Sequence, residues 1–183
     1  HPLVFMAKQA DFEAVPGKPW VYWMPNTVRE KFTKLFLLGT HSPVKHGLTT
    51  CANKRFLRKN WEIKRSMISF DVSSCEEAFS LKGKWFPYMK GGAPIPWYGN
   101  QEHVVNWSGD GEEIKTEAVR RYPYLKGNYG LLVTNPEFYF RPGVTWSLIS
   151  SKGFAARLSP GGFIFDVAGM TCFPPKEDVH LVL

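Results

Sequence analysis

Residues 84–121 read KWFPYMKGGAPIPWYGNQEHVVNWSGDGEEIKTEAVRR, and the order of patterns in this stretch decides the fold class. Lys84 to Met89 is rich in aromatic residues and predicts a strand that ends before a pair of glycines. His103 to Trp107 predicts a second strand, and a helix is expected from Ser108 or Asp110 to about Arg121. Strands and a helix that follow one another so closely favour an α+β fold.

The same patterns predict elements on both sides of this stretch. Helices are expected from Asn26 or Thr27 to near Leu38-Gly39, and from Asn53 to Leu57. Further strands are expected at Trp61 to Ile63, Met67 to Phe70, Glu137 to Phe140, Val144 to Trp146, Phe154 to Leu158 and Phe163 to Val167. The turn Ser159-Pro160-Gly161-Gly162 joins the last two as a predicted hairpin. The sequence therefore predicts mostly antiparallel β-sheet with a few helices, in a single domain over residues 1–183.

Charge and cysteine usage limit the function classes. The formal net charge is +7, which favours polyanionic partners, nucleic acid first and an acidic membrane surface second. No apolar run approaches the roughly 20 residues that cross a bilayer. Three widely spaced cysteines form neither a disulfide framework nor a zinc site, so a reducing cytoplasm is expected. The chain opens at His1 and closes on Leu181-Val182-Leu183, which we interpret as a fragment of a longer protein.

No motif in the sequence predicts catalysis. Asn135-Pro136-Glu137-Phe138 is near the Asn-Pro-Pro-aromatic string with which amino-group DNA methyltransferases hold a flipped base, but Glu137 replaces the second proline. No glycine-rich strand-to-helix turn for a methyl donor precedes it, so we interpret the string as the start of a strand. Asp110 with Glu113 and Lys115 is interpreted as a capped first helical turn, and His41 and His46 lack further ligands at metal spacing. We predict no catalytic residue, no metal and no cofactor in this chain.

Several strings, in this order, resemble the region downstream of the catalytic domain in adenine-specific DNA methyltransferases of the phage-exclusion (BREX) PglX type. They are Phe12-Glu13-Ala14-Val15-Pro16-Gly17 with Tyr22-Trp23, Gly47-Leu48-Thr49-Thr50 to Asn53-Lys54-Arg55-Phe56-Leu57-Arg58, Lys84-Trp85-Phe86-Pro87-Tyr88 with Lys90-Gly91-Gly92, Trp97-Tyr98-Gly99-Asn100, Val104-Val105-Asn106-Trp107, Asp110-Gly111-Glu112-Glu113-Ile114-Lys115 and Gly161-Gly162-Phe163-Ile164-Phe165-Asp166-Val167-Ala168-Gly169. Two loops depart from the family pattern: Cys51-Ala52 replaces a Gly-Asp-like turn, and Pro94-Ile95-Pro96 replaces a more basic approach to Trp97.

The resemblance implies a target recognition domain, similar to those of TaqI-like methyltransferases and type I specificity subunits. Such a module reads double-stranded DNA for a catalytic methyltransferase domain of the same parent chain, which holds S-adenosylmethionine and flips the adenine. The fragment itself would be non-catalytic. The predicted DNA-binding residues are Thr49, Thr50, Asn53, Lys54, Arg55, Arg58, Lys59, Lys84, Lys90, Trp97 and Tyr98.

These residues divide into two expected roles. The loops from Thr49 to Asn53 and from Lys90 to Tyr98 are expected to approach base edges, whereas Lys54, Arg55, Arg58 and Lys59 are expected to hold phosphates. Two alternatives to phosphate binding remain for these cations: Arg58 forms an ion pair with Glu62, or Lys59 is simply solvated. Two other function classes also remain, a small DNA-acting enzyme such as a restriction nuclease, and a protein-interaction domain with a basic face.

Overall fold

The structure is a computed structural model that describes residues 6–150 and 153–183. The chain divides into two compact units, one up to His41 and one from Ser42 onward. The expectation of a single domain stays a prediction. The first unit contains helices α1 (Gln9–Glu13), α2 (Asn26–Lys34) and α3 (Leu38–His41).

The buried side chain of Arg29 holds the first unit together. Its guanidinium lies 3.3 Å from Asp11 Oδ2 and donates to the carbonyl oxygens of Val21 and Tyr22. Helix α2 begins at Asn26 as predicted, but it ends at Lys34 and not near Leu38-Gly39, because the backbone of Leu35 is extended.

The second unit is built on two four-stranded sheets. Its strands are β1 (Val44–Lys45), β2 (Leu57–Lys59), β3 (Trp85–Met89), β4 (His103–Asn106), β5 (Gly143–Ser147), β6 (Ala156–Ser159), β7 (Ile164–Phe165) and β8 (Gly169–Cys172). One sheet has the order β1-β8-β5-β6 and the other β2-β4-β3-β7. All pairings between these strands are antiparallel except β3 with β7. The predicted α+β class with mainly antiparallel sheet is therefore confirmed.

Helices and short 3₁₀ turns connect these strands. The helices are α4 (Asn53–Phe56), α5 (Cys75–Ser80), α6 (Ser108–Arg121) and α7 (Val179–Val182). The 3₁₀ turns are Asn60–Glu62, Arg65–Met67, Pro123–Leu125, Tyr129–Leu131, Pro136–Phe138 and Lys176–Asp178. Ser74 precedes helix α5 as its N-cap, and its hydroxyl accepts from the backbone N–H of Glu77, as N-cap serines commonly do. Among the residues that the structure describes, no helix has the length and apolar character that crossing a bilayer requires.

Strand β3 forms the centre of the core because it is buried on both faces. Its five residues are all apolar or proline, a pattern typical of a strand covered on two sides. Phe86, Val105 and Ile114 are fully buried and belong to one apolar cluster with Trp107 and Phe140. The predicted strands β3 and β4 and the predicted helices α4 and α6, which contribute buried residues to this core, are present in the structure.

Three predicted strands and the predicted hairpin are wrong. Trp61 and Glu62 lie in a 3₁₀ turn, and of the segment Met67 to Phe70 only Ile68 pairs, in an isolated bridge to Trp85. Trp61 and Met67 are exposed. Glu137 to Phe140 begins in a third 3₁₀ turn. The segments expected to form a hairpin enter different sheets, because β6 pairs with β5 whereas β7 pairs with β3. The observed hairpin in this region is β5 with β6.

Candidate nucleic-acid interface

A cleft of about 690 Å³ lies between the β1–α4 loop and the β7–β8 turn, and we call it the basic cleft. It is lined by Thr49, Thr50, Cys51, Ala52, Asn53, Lys54, Tyr88, Lys90, Arg121, Tyr122, Asp166, Val167 and Ala168. Five predicted DNA-binding residues are in this set: Thr49, Thr50, Asn53, Lys54 and Lys90.

Backbone pairing between its two loops forms the basic cleft. Leu48 bridges to Asp166 in parallel, with hydrogen bonds from Leu48 N to the carbonyl of Phe165 (2.8 Å) and from Val167 N to the carbonyl of Leu48 (3.2 Å). Gly47 permits this approach, because an added Cβ would lie 2.0 Å from the carbonyl oxygen of Phe165. The cleft thus depends on a glycine at the start of the predicted recognition loop.

The loop from Thr49 to Asn53 has a fixed conformation. The buried Thr50 hydroxyl donates to Asn53 Oδ1 at the beginning of α4. Cys51 has a φ of 62°, in the left-handed region that favours glycine. A glycine would adopt this backbone without strain, in agreement with the Gly-Asp-like turn expected from the family resemblance in place of Cys51-Ala52. The guanidinium of Arg121, at the end of α6, donates to the carbonyl of Cys51 and supports the loop from outside.

Three cations line the basic cleft. Lys54 is exposed and Lys90 is half-buried, and neither forms an ion pair with any residue that the structure describes. Arg121 is exposed and bonded to a backbone carbonyl, not to a carboxylate. Cations without carboxylate partners attract phosphate more strongly than ion-paired ones.

One carboxylate lies on the floor of the basic cleft. Asp166 is only 7% exposed, and its Oδ1 accepts from Ala168 N at 2.9 Å. Burial raises the pKa of this carboxyl above its ordinary value of 3.8, although the Ala168 N–H, the Lys90 charge and the Tyr88 hydroxyl oppose the rise. The Tyr88 hydroxyl donates to the carbonyl of Leu48 at 3.0 Å, and burial raises its pKa well above 10. The floor is therefore polar and fixed.

The predicted phosphate-binding arginines have partners within the chain. Arg55 lies outside the cleft lining and reaches Glu113 Oε2 at 3.2 Å and Glu117 Oε2 at 3.4 Å on helix α6. The hydrogen bond from Asn106, and then Arg55, lowers the pKa of Glu113. Arg58 donates to the carbonyls of Lys54 (2.8 Å) and Leu57 (2.7 Å) and forms no ion pair with Glu62. The expected alternative pairing of Arg58 with Glu62 is therefore wrong.

The remaining predicted residues lie on other surfaces. Lys59 is held 3.1 Å from Glu102 Oε1 and lies over the ring of Trp61, so it is not simply solvated. Lys84 is exposed beside the ring of Trp85. Trp97 and Tyr98 are each 65% exposed, on a loop whose backbone pairs with β6. These residues do not line the basic cleft.

Sequence reasoning missed Asp166, Tyr88 and Arg121 as cleft residues. Asp166 and Tyr88 occur within the strings that carry the family resemblance, and Arg121 is the last residue of a predicted helix. The cleft forms through the bridge between Leu48 and Asp166, which are distant in sequence, so no local pattern indicates it. The family resemblance was the signal that could have drawn attention to Asp166 and Tyr88.

The pseudo-motif at Asn135 has a structural role. Asn135 adopts a left-handed conformation, and its side-chain amide donates to the carbonyl of His46 at 2.8 Å. Phe138 packs against Phe173, with ring centroids 4.9 Å apart. The string begins a 3₁₀ turn, so its interpretation as the start of a strand is wrong.

Within the described ranges, no group of three or more His, Cys, Asp or Glu residues could hold a metal.

A glycine-rich strand-to-helix turn is present after all, at Ser108–Gly111 between β4 and α6. Gly109, Asp110 and Gly111 all have left-handed backbones. A methyl donor needs open space beside such glycines, but a Cβ on Gly111 would lie 2.4 Å from Trp107 Cζ3. The indole occupies that space, and β4 pairs only antiparallel with its neighbours. This turn does not fit S-adenosylmethionine.

Comparison with known proteins confirms the resemblance seen in the sequence. The chain is 38% identical over 172 residues to the adenine-specific methyltransferase PglX of Lacticaseibacillus casei (strain Zhang). It is 35% identical over 170 residues to the adenine-specific methyltransferase BrxX of Escherichia coli O9:H4 (strain HS). Each alignment covers 93% of this chain, but the chain spans only 14% and 12% of the lengths of these relatives. No family model matches the chain.

The buried carboxyl of Asp166 predicts a pH-dependent stability. Because its folded pKa is raised, the folded state retains a proton that the unfolded chain releases, so stability falls as pH rises through this window. We expect Asp166→Asn to gain stability relative to wild type as pH rises from 4, up to a plateau above the folded pKa. Urea unfolding from pH 4 to pH 8 measures the difference, and a gain that instead grows toward acid would contradict the assignment.

Proposed function

We propose that this chain is the DNA target recognition region of a site-specific adenine DNA methyltransferase of a BREX-type phage-defence system. In this proposal the basic cleft binds double-stranded DNA. A catalytic domain of the same parent chain supplies S-adenosylmethionine chemistry in the cytoplasm, and this region alone does not transfer methyl groups.

The observation that carries the proposal is the set of cations in the basic cleft. Lys54, Lys90 and Arg121 meet in one concavity, and no carboxylate of the described chain lies within ion-pair distance of Lys54 or Lys90. Phosphate neutralisation by such cations provides most non-specific DNA affinity. The similarity to two adenine-specific methyltransferases over 93% of the chain supports the same interpretation.

The surrounding polar loop supports a role in reading bases. The Thr50 to Asn53 hydrogen bond and the support from Arg121 hold the loop in one conformation. Pre-ordered loops lose less conformational entropy on binding than mobile ones. Arg55 contributes differently in this proposal: Glu113 and Glu117 orient its guanidinium, which remains 56% exposed at the side chain for a phosphate.

A duplex-binding titration with single lysine variants tests the proposal. We expect Lys54→Ala and Lys90→Ala each to weaken binding of a mixed-sequence duplex and to flatten the log-affinity against log-salt slope by roughly one unit. Fluorescence anisotropy of labelled duplex at several salt concentrations measures both quantities. Lys176→Ala is the matched control, because Lys176 is also exposed but does not line the cleft.

The outcomes separate the three function classes. Wild-type affinity and salt slope in both lysine variants would remove the cleft from the DNA interface. Absence of any salt-dependent duplex binding would favour a protein-interaction domain with a basic face. Metal-dependent cleavage of the duplex, or methyl transfer from labelled S-adenosylmethionine by the 183-residue chain, would instead indicate an independent DNA-acting enzyme.

A further inference from the structure

The floor of the basic cleft presents a charge opposite to that of its rim. Asp166 is 7% exposed and lines the cleft, whereas Lys54, Lys90 and Arg121 line the same space. No lysine or arginine of the described residues lies within ion-pair distance of the Asp166 carboxyl. A buried carboxylate without an ionic partner is costly, and a hydrogen-bond donor that enters the cleft would offset that cost.

The arrangement selects the chemistry of the ligand. A carboxylate only accepts hydrogen bonds, so the group that meets Asp166 must be a donor. The cationic rim selects an anion, so the same ligand must also carry phosphate. A nucleotide whose base bears an exocyclic amine satisfies both conditions, because cytosine N4, adenine N6 and guanine N2 all donate, whereas uracil presents a carbonyl in place of the amine of cytosine.

The depth of Asp166 indicates how the base arrives. The cleft volume of about 690 Å³ falls in the range of small-molecule sites. A base edge within a duplex lies between two phosphate backbones and does not reach easily to a recessed floor, whereas a base outside the stack does. The depth therefore favours an unstacked nucleotide.

We propose that Asp166 is a specificity-determining residue that accepts a hydrogen bond from the exocyclic amine of an unstacked cytosine, adenine or guanine, while Lys54 and Lys90 hold the flanking phosphates. The inference rests on the proposed DNA-binding function and adds to it a base preference and the residue that sets it. The β7–β8 turn positions this residue through the hydrogen bond from Ala168 N and the bridge to Leu48.

Single-stranded dodecamers with the same number of phosphates test the inference. At pH 7.5 we expect the 183-residue chain to bind oligodeoxycytidine about tenfold more tightly than oligodeoxyuridine, as expected for one good base contact. Asp166→Asn should bring this ratio close to one, because the amide donates to a carbonyl as readily as it accepts from an amine. A single deoxyadenosine or deoxyinosine within oligodeoxyuridine shows whether adenine is also accepted.

The controls separate this inference from the proposed function. Lys54→Ala should weaken both dodecamers equally and leave the ratio unchanged, and urea unfolding of Asp166→Asn verifies that the variant folds. Retention of the tenfold ratio in Asp166→Asn overturns the inference, as does a wild-type ratio of one or absence of binding to either dodecamer. Salt-dependent duplex binding that depends on Lys54 would still support the proposed function in each of these cases.

Discussion

Gly47→Ala is expected to destabilise the second unit by about 3 kcal/mol, the upper end of the usual cost of overpacking. The added Cβ would lie 2.0 Å from the carbonyl oxygen of Phe165 and 2.6 Å from its carbonyl carbon. Both atoms belong to the backbone of β7, so no rotamer change relieves the overlap. Urea unfolding measures the loss, and DNA binding should decline with it because the Leu48–Asp166 bridge shapes the cleft.

Gly161→Ala is the matched control for this variant. Gly161 lies in the same unit, and an added Cβ there would be 3.5 Å from the carbonyl oxygen of Phe140, which is an ordinary contact. The control should change stability by less than about 1 kcal/mol. Equal effects of the two alanines would show that backbone entropy, and not the approach of β7, determines the result.

Arg157→Met is expected to raise the free energy of unfolding by about 1 to 4 kcal/mol, the range found when buried ion pairs are replaced by apolar side chains of similar size. Arg157 on β6 is fully buried, and its Nε and Nη1 atoms have no hydrogen-bond partner among residues 6–150 and 153–183. Its Nη2 donates a long bond, 3.4 Å, to Ser147 Oγ. Burial lowers the pKa of this guanidinium, in agreement with a poorly solvated charge.

A second buried arginine provides the contrast. Arg29 is 7% exposed and its Nε also lacks a hydrogen-bond partner among the described residues, but its Nη1 lies 3.3 Å from Asp11 Oδ2 and donates to Asn26 Oδ1 at 3.2 Å. Arg29→Met should lower the free energy of unfolding by about 1 to 3 kcal/mol, because it removes the partners of polar groups. Thermal denaturation and urea unfolding of both variants measure whether the free energy of unfolding rises for Arg157→Met and falls for Arg29→Met. A destabilised Arg157→Met would mean that the guanidinium contributes more to the fold than its contacts indicate.

Local sequence predicted the elements whose stability comes from their own buried residues. The apolar run from Trp85 to Met89 was correctly predicted, and so was helix α6, although its regular helical backbone begins only after the left-handed residues Gly109 to Gly111. It failed at Trp61, where an aromatic residue suggested a strand although the ring lies exposed beneath the ammonium of Lys59. The strand predicted at Phe163 to Val167 contains β7, but its predicted hairpin partner was wrong, because β7 pairs with β3 far back in the chain. Such pairing has no local pattern.

The candidate site shows the same division. The polar and basic residues Thr49 to Lys54 were predicted from one short stretch, and the structure brings them together with Lys90. Asp166 could not be predicted from spacing, because its position depends on the bridge to Leu48. The ion pairs of Arg55 were also invisible in the sequence, because Glu113 and Glu117 lie 58 and 62 residues further on.

The central position of β8 determines when the second unit can fold during synthesis. Val44 and Val144 both pair with Cys172, so β1 and β5 become neighbours of the same strand only after the ribosome has delivered it. Contacts of such long sequence separation slow folding, often to milliseconds or seconds. Until then the two earlier strands have unpaired edges, which are templates for aggregation. We therefore expect a nascent chain that stalls before Gly169 to expose these strand edges and to remain an incompletely folded module.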